Sequence, residues 1–416
     1  MASETTNTVI VGAGQAGLAM SAHLKRAGIA HIVLERDRIA EAWRTARWDS
    51  LVANGPAWHD RFPDKEFDDT PGDGFASKDS CTQYFEEYAR DQDLPIRTGI
   101  EVHRAAPLDP GRGYRVETSG GVIEAQNVVA ATGPFQHPVL PPVIPDDAPV
   151  IQMHSQAYKN PSQLAEGAVL VVGAGSSGSQ IADELLRAGR DVYLSVGPHD
   201  RPPRRYRGQD FCYWLGALGK WQMKTPPAGR EHVTIAVSGA YGGRTVDFRS
   251  FAERGMTLLG MTKSYAEGRL LFEDDLAKNI KEGDDNYLSL LAEADAYIAQ
   301  HSLDYPEEPE AKRIGPDPAC VTHPVLSLNL KDARITTVMW ATGYRQDFGW
   351  LDVPAFTAKG TPIHQGGVSP VPGIYFLGLP WLTMRGSSFI WGVYVDAGTL
   401  AAHISERANA TRSNRG

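Results

Sequence analysis

The chain has 416 residues, which at a typical domain size of about 150 residues gives two to three domains. Hydrophobic residues make up 42% and charged residues 22%, a globular composition that excludes disordered and fibrous classes. The net charge of −9 argues against nucleic acid or an anionic membrane as partner, and Cys81, Cys212 and Cys320 are too widely spaced for a disulfide scaffold, a cysteine zinc site or a dithiol reductase.

Residues 8–11 read as a buried strand, followed by Gly12-Ala13-Gly14-Gln15-Ala16-Gly17, an apolar helical stripe ending at Gly28, and a second strand closing on Glu35. In such a unit Gly12 permits the tight turn, Gly14 lets backbone approach a diphosphate, and Gly17 lets helix and strand pack. The helix start offers free N–H groups to phosphate, and Glu35 is placed to accept from ribose hydroxyls. Further on, an apolar strand runs into Ala131-Thr132-Gly133, and the prolines 134, 138, 141 and 142 read as a linker.

The unit then returns. Residues 168–172 form a strand, Gly173-Ala174-Gly175-Ser176-Ser177-Gly178 the loop, and 191–194 the next strand. Its counterpart of Glu35 is Ser195. The missing carboxylate removes a repulsion against a 2′-phosphate, and Arg201, Arg204, Arg205 and Arg207 follow closely. The reading is FAD on the first loop and NADPH on the second, with NADH as the alternative.

Residues 210–310 exceed what such a unit needs. Helical periodicity around 247–251 and over 274–301, with Tyr287, Leu291, Ala294 and Ile298 on one face, suggests a mainly helical cap or a dimer surface. A second Ala-Thr-Gly turn, Ala341-Thr342-Gly343, ends another apolar strand. Near the end, a strand runs into Gly378-Leu379, and the segment from Trp391 reads as a helix whose start faces the flavin. The tail from Glu406 reads as disordered. The expected fold class is therefore α/β, with two Rossmann-like domains. The FAD domain takes 1–155 and 335–416, and the NADPH domain takes 160–335 inserted between them.

With these motifs in place, the chain resembles the class B flavoprotein monooxygenases: the flavin-containing monooxygenases, the YUCCA-type enzymes and the Baeyer–Villiger enzymes. His154 and Tyr158 match the end of the family motif FxGxxxHxxx(Y/F/W), with Ala148 and Val150 in place of its Phe and Gly. Trp43-Arg44 resembles the flavin-covering loop, and residues 51–56 resemble the SNxPK stretch. The resemblance implies cofactor contacts at Arg36, Trp43, Arg44, Val102, His154 and Tyr158. It also implies a catalytic Asn54 beside the reactive face of the flavin. The activity it implies uses a C4a-hydroperoxyflavin, shielded by bound nicotinamide, to insert one oxygen atom of dioxygen into a small organic substrate. Nitrogen or sulfur oxidation, or oxidation of a small organic acid, is favoured. Baeyer–Villiger oxidation, a flavin reductase or oxidase without oxygen insertion, and a flavin-bound redox sensor are the alternatives. No metal is called for. His59 reads as a packing or surface histidine, with proton transfer as the alternative. Trp48, Trp58, Trp214, Trp221, Trp381 and Trp391 read as core or pocket lining, and Arg385 as an anion anchor or a solvated turn. The expected setting is cytoplasmic, without a membrane partner, and a homodimer is left open.

Overall fold

The computed structural model describes residues 4–108, 112–224, 226 and 234–413. Two sheets carry the chain. In the first, strand Glu4–Val11 lies between His31–Glu35 and Gly121–Ala130, all parallel, with Ile96–Thr98 beyond one side. Strand Ile374–Phe376 returns from near the chain end to pair with Gly121–Ala130. An antiparallel meander, Val102–Pro107 and Tyr114–Thr118, completes that sheet. The second sheet is parallel throughout, in the order Thr257–Leu259, Val192–Ser195, Ala168–Val172, Ile335–Trp340, Ile151–His154.

Parallel strands covered on both faces are apolar without alternation. Val9, Ile10, Val128 and Val129 in the first sheet, and Val169, Leu170 and Val171 in the second, are all fully buried. Helix Gln15–Arg26 packs against the C-terminal helix Ile390–Ser413, so the two ends of the chain close one core.

Three expectations change. Strands Ile151–His154 and Ile335–Trp340, assigned by sequence to the FAD domain, are an edge and an inner strand of the second sheet. The chain therefore passes to the second sheet between Gly133 and Ile151, earlier than expected, and leaves it only after Trp340, later than expected. The 210–310 region is not uniformly helical. It holds helices Phe211–Ala217, Phe248–Glu253 and the 26-residue Leu276–His301, but residues 257–259 extend the second sheet and 262–272 form a hairpin. The tail from Glu406 continues the C-terminal helix to Ser413. Among the described residues, no helix is long and apolar enough to cross a membrane.

Candidate dinucleotide site

The two glycine loops repeat one geometry. A Cβ on Gly12 would stand 2.7 Å from the Ala131 carbonyl oxygen, and one on Gly173 would stand 2.6 Å from that of Ala341. Each first glycine thus lies directly on the alanine of an Ala-Thr-Gly turn, at φ +106° and +102°, where other residues are strained. A Cβ on Gly17 or Gly178 would collide with the carbonyl of Gly12 or Gly173 at 1.8 Å, so helix and loop touch there. Gly14, by contrast, has nothing within 4 Å of its Cβ position.

Neither helix has a side-chain cap at its N-cap glycine, Gly14 or Gly175, and neither has an acid in its first turn. The first N–H groups of both helices are therefore available to an anion. Glu35 curls back over the first loop, accepting from the Ala13 N–H at 2.8 Å and the Asp37 N–H at 3.0 Å. Open Gly14, uncapped helix starts and a carboxylate over the loop suit a dinucleotide diphosphate and its ribose.

Around the loops, Gln15 donates to the Ser388 carbonyl at 2.8 Å, tying the first loop to the start of the C-terminal helix. A Cβ on Gly378 would lie 2.9 Å from that of Ala16, so the last strand also ends at this loop. Leu379 is buried behind it. Thr132 accepts from Gln136, and Thr342 donates to the Val139 carbonyl at 2.6 Å. The segments leaving Gly133 and Gly343 pair antiparallel, Pro138 against Tyr344, and so form a double strap between the sheets. His154 caps the short helix Ser155–Ala157 through Nδ1, which accepts from Gln156 N–H. That leaves Nε2 to donate to the Gly343 carbonyl at 3.0 Å. Burial holds His154 below the usual histidine range.

Asn54 stands on the seam between the sheets. Its Oδ1 accepts from Gln180 on helix Ser176–Arg187 at 2.8 Å, and its carbonyl accepts from Arg204 at 2.6 Å. Trp43 is half-buried with Arg47 over its ring, Arg44 pairs with Glu86 at 2.5 Å, Arg36 is exposed beside Asp37, and Val102 opens the edge meander.

The second-loop assignments need correction. Arg204 is not a free phosphate ligand. Its side chain is 3% exposed, it grips Asp210 with Nε at 2.9 Å and Nη2 at 2.6 Å, and it lies over both Phe75 and Phe211. Arg201 is buried against Asp284 at 2.8 Å, and Arg207 pairs with Asp295 at 2.7 Å. Arg205 is exposed. Ser195 is also committed, donating to the Gly260 carbonyl at 2.8 Å and accepting from Thr262. Tyr158 is fully buried, and its hydroxyl donates to Glu184 at 2.7 Å, so it fastens the linker to helix Ser176–Arg187. Ser176 donates to the Ile235 carbonyl at 2.8 Å, while Ser177 stays exposed. Arg385 is largely buried, 3.8 Å from Asp200, and burial lowers its pKa while raising that of Asp200.

Residues 9–226 match the family model for pyridine nucleotide-disulphide oxidoreductases. An uncharacterised CzcO-like oxidoreductase of Geobacillus kaustophilus is 34% identical over 94% of this chain and 96% of its own length. The chain belongs to the pyridine nucleotide-disulphide oxidoreductase family. Members of this flavin-dependent monooxygenase and oxidoreductase group use flavin and pyridine nucleotide, which accounts for two uncapped glycine loops in one chain. The indole-3-pyruvate monooxygenase YUCCA1 of rice is 37% identical over 198 residues, 45% of this oxidoreductase and 47% of the relative. A flavin-containing monooxygenase from Stenotrophomonas maltophilia shares the fold with a TM-score of 0.68 at 18% identity, over 97% of this chain and 99% of the other.

Sequence reasoning missed Gln180 and Asp210. Asp210 had a signal: Gly208, at φ +76°, turns the chain between Arg205-Tyr206 and Gln209-Asp210, which brings the acid back to Arg204.

Proposed function

We propose that this oxidoreductase is an NADPH-dependent flavin monooxygenase. It inserts one oxygen atom of dioxygen into a small organic substrate, at an amine nitrogen, at a sulfide sulfur or in a small organic acid. The observation that carries this reading is the Asn54–Gln180 hydrogen bond, which joins the first unit to the helix of the second at the seam. The three cysteines support it from the other side. Cys81 and Cys212 are buried, with thiols pushed up by burial, and Cys320 has no disulfide partner, so none is prepared as a thiolate pair.

Bound flavin supplies the electrons that activate dioxygen. The chain's own residues bind, orient and exclude. The loops from Gly12 and Gly173 hold the two diphosphates, with Glu35 on the flavin-side ribose. The Ala131–Gly133 and Ala341–Gly343 turns close against those loops. Asn54 carries the catalytic positioning: its neutral amide offers hydrogen bonds without a strong acid. NADPH is preferred over NADH because Ser195 stands where a carboxylate would repel the 2′-phosphate, and Arg205 is left at the surface beyond it.

The test compares NADPH consumed with hydrogen peroxide released, in the presence of amines, sulfides and small organic acids. At least one substrate should lower peroxide per NADPH and yield a product one oxygen atom heavier. Full release of peroxide with every substrate would replace this reading with an oxidase.

A further inference from the structure

His59 does not pack as a surface histidine. Its side chain is 9% exposed, and Nδ1 lies 2.7 Å from Asp60 Oδ1, while Asp60 Oδ2 accepts from the Gly55 N–H at 2.8 Å. Both carboxylate oxygens accept, so the Nδ1 of the neutral ring carries its proton and Nε2 is left as an acceptor. That Nε2 is buried and has no hydrogen-bond partner. Three indoles surround it: Trp58, Trp221 and Trp391, with ring centroids 5.5, 5.1 and 5.6 Å from the imidazole. None of the hydrogen bonds that these indoles make goes to that nitrogen: Trp221 Nε1 donates to the Cys212 carbonyl. Trp391 has the complementary deficit, since its buried Nε1 also has no partner. Unmet buried polar atoms are rare because each forfeits its hydration, and two on adjoining rings need a common reason.

Trp221 donates to the Cys212 carbonyl at 3.0 Å, and the Trp391 ring lies against Gly386, where a Cβ would stand 2.5 Å from it. Trp58 is 38% exposed and forms the rim. Asn54 lies five residues before His59, and Trp391 stands three residues after Ser388, the acceptor of Gln15. The cage therefore adjoins the seam.

We propose that Trp58, Trp221 and Trp391 around His59 form a binding subsite for a planar aromatic compound that presents a hydrogen-bond donor to His59 Nε2, as a phenolic hydroxyl does. The subsite deepens the proposed function, because it names the substrate class of that same seam.

The test is equilibrium binding to the flavin-loaded protein without turnover, followed by tryptophan fluorescence and calorimetry, with phenol, anisole and cyclohexanol as probes. Binding is thus scored whether or not oxygen insertion occurs. Phenol should quench the tryptophans and bind about tenfold or more tighter than anisole, which lacks the donor, and tighter than cyclohexanol, which lacks the aromatic ring. His59→Phe, which keeps a ring but has no acceptor, should erase the preference for phenol over anisole. Asp60→Asn should reverse or flatten it, because the new amide donates to Nδ1 and moves the ring proton to Nε2. Trp391→Phe, which keeps a ring, should weaken phenol without that reversal. Equal binding of phenol and anisole to the unaltered protein would overturn the proposal. So would a preference unchanged in both His59→Phe and Asp60→Asn. A shift of the flavin absorption band in His59→Phe, with no phenol binding to the unaltered protein, would overturn it as well, making the flavin the partner of Nε2.

Discussion

Arg204 links the stability of this protein to the placement of Asn54. Its guanidinium and Asp210 are 3% and 7% exposed, bonded through two nitrogens, with Nη1 left for the Asn54 carbonyl at 2.6 Å. Arg204→Met fills similar volume but leaves Asp210 buried and unpaired. Breaking one half of such a pair costs about 3–5 kcal/mol. For a folding unit of roughly 150–250 residues this corresponds to a fall in Tm of roughly 6–20 °C, at about 2–4 °C per kcal/mol. Removing both charges in Arg204→Met/Asp210→Leu should recover most of that loss, since a well-packed apolar replacement of a buried pair is often neutral. The double variant still lacks the donor to Asn54. It should therefore be stable yet release more peroxide per NADPH than the unaltered protein. Thermal unfolding followed by circular dichroism, alongside the peroxide assay, separates the two effects. A single variant within about 1 kcal/mol of the parent, or a double variant no more stable than the single, would refute the account of a buried pair.

The two glycine loops should fail separately. Gly12→Ala meets the Ala131 carbonyl and should yield protein with little bound flavin, whereas Gly173→Ala meets the Ala341 carbonyl and should keep its flavin colour but lose reduction by NADPH. Flavin content after purification and anaerobic reduction rates check this, and loss of flavin in both variants to the same degree would contradict it. Acidification should destabilise the fold through buried histidines. Burial lowers the folded pKa of His154 and His199, so their contribution is complete above the ordinary value of about 6.5 and is lost as pH falls from there toward the lowered folded values. Protonated His154 also loses the Nδ1 acceptor that caps Gln156 N–H. Chemical denaturation across this range should show stability falling, and His154→Asn, which keeps a capping oxygen, should flatten the slope.

Much of the frame was legible because its signals are local. A strand, a glycine loop and a helix lie within about twenty residues, and each glycine's role follows from backbone geometry alone. The errors came where partners are set by tertiary structure. Ser195 and Arg204 looked free because Thr262 and Asp210 return to them only through folded hairpins. Tyr158 matched a motif, but its hydroxyl is taken by Glu184 on the next helix. His59 does pack, as its sequence reading allowed, but its partners Trp221 and Trp391 come from distant parts of the chain and left no local signal. The border strands 151–154 and 335–340 were misplaced because an apolar parallel strand carries no mark of which sheet it joins.

The central claim is that one chain holds a flavin and a nicotinamide on facing glycine loops. Its most direct test is anaerobic mixing of the purified, flavin-loaded protein with NADPH while the visible flavin band is followed. The account predicts complete bleaching, fast with NADPH and slower with NADH, and restored when oxygen is admitted. Protein that binds no flavin, or a flavin that neither nucleotide reduces, would contradict it.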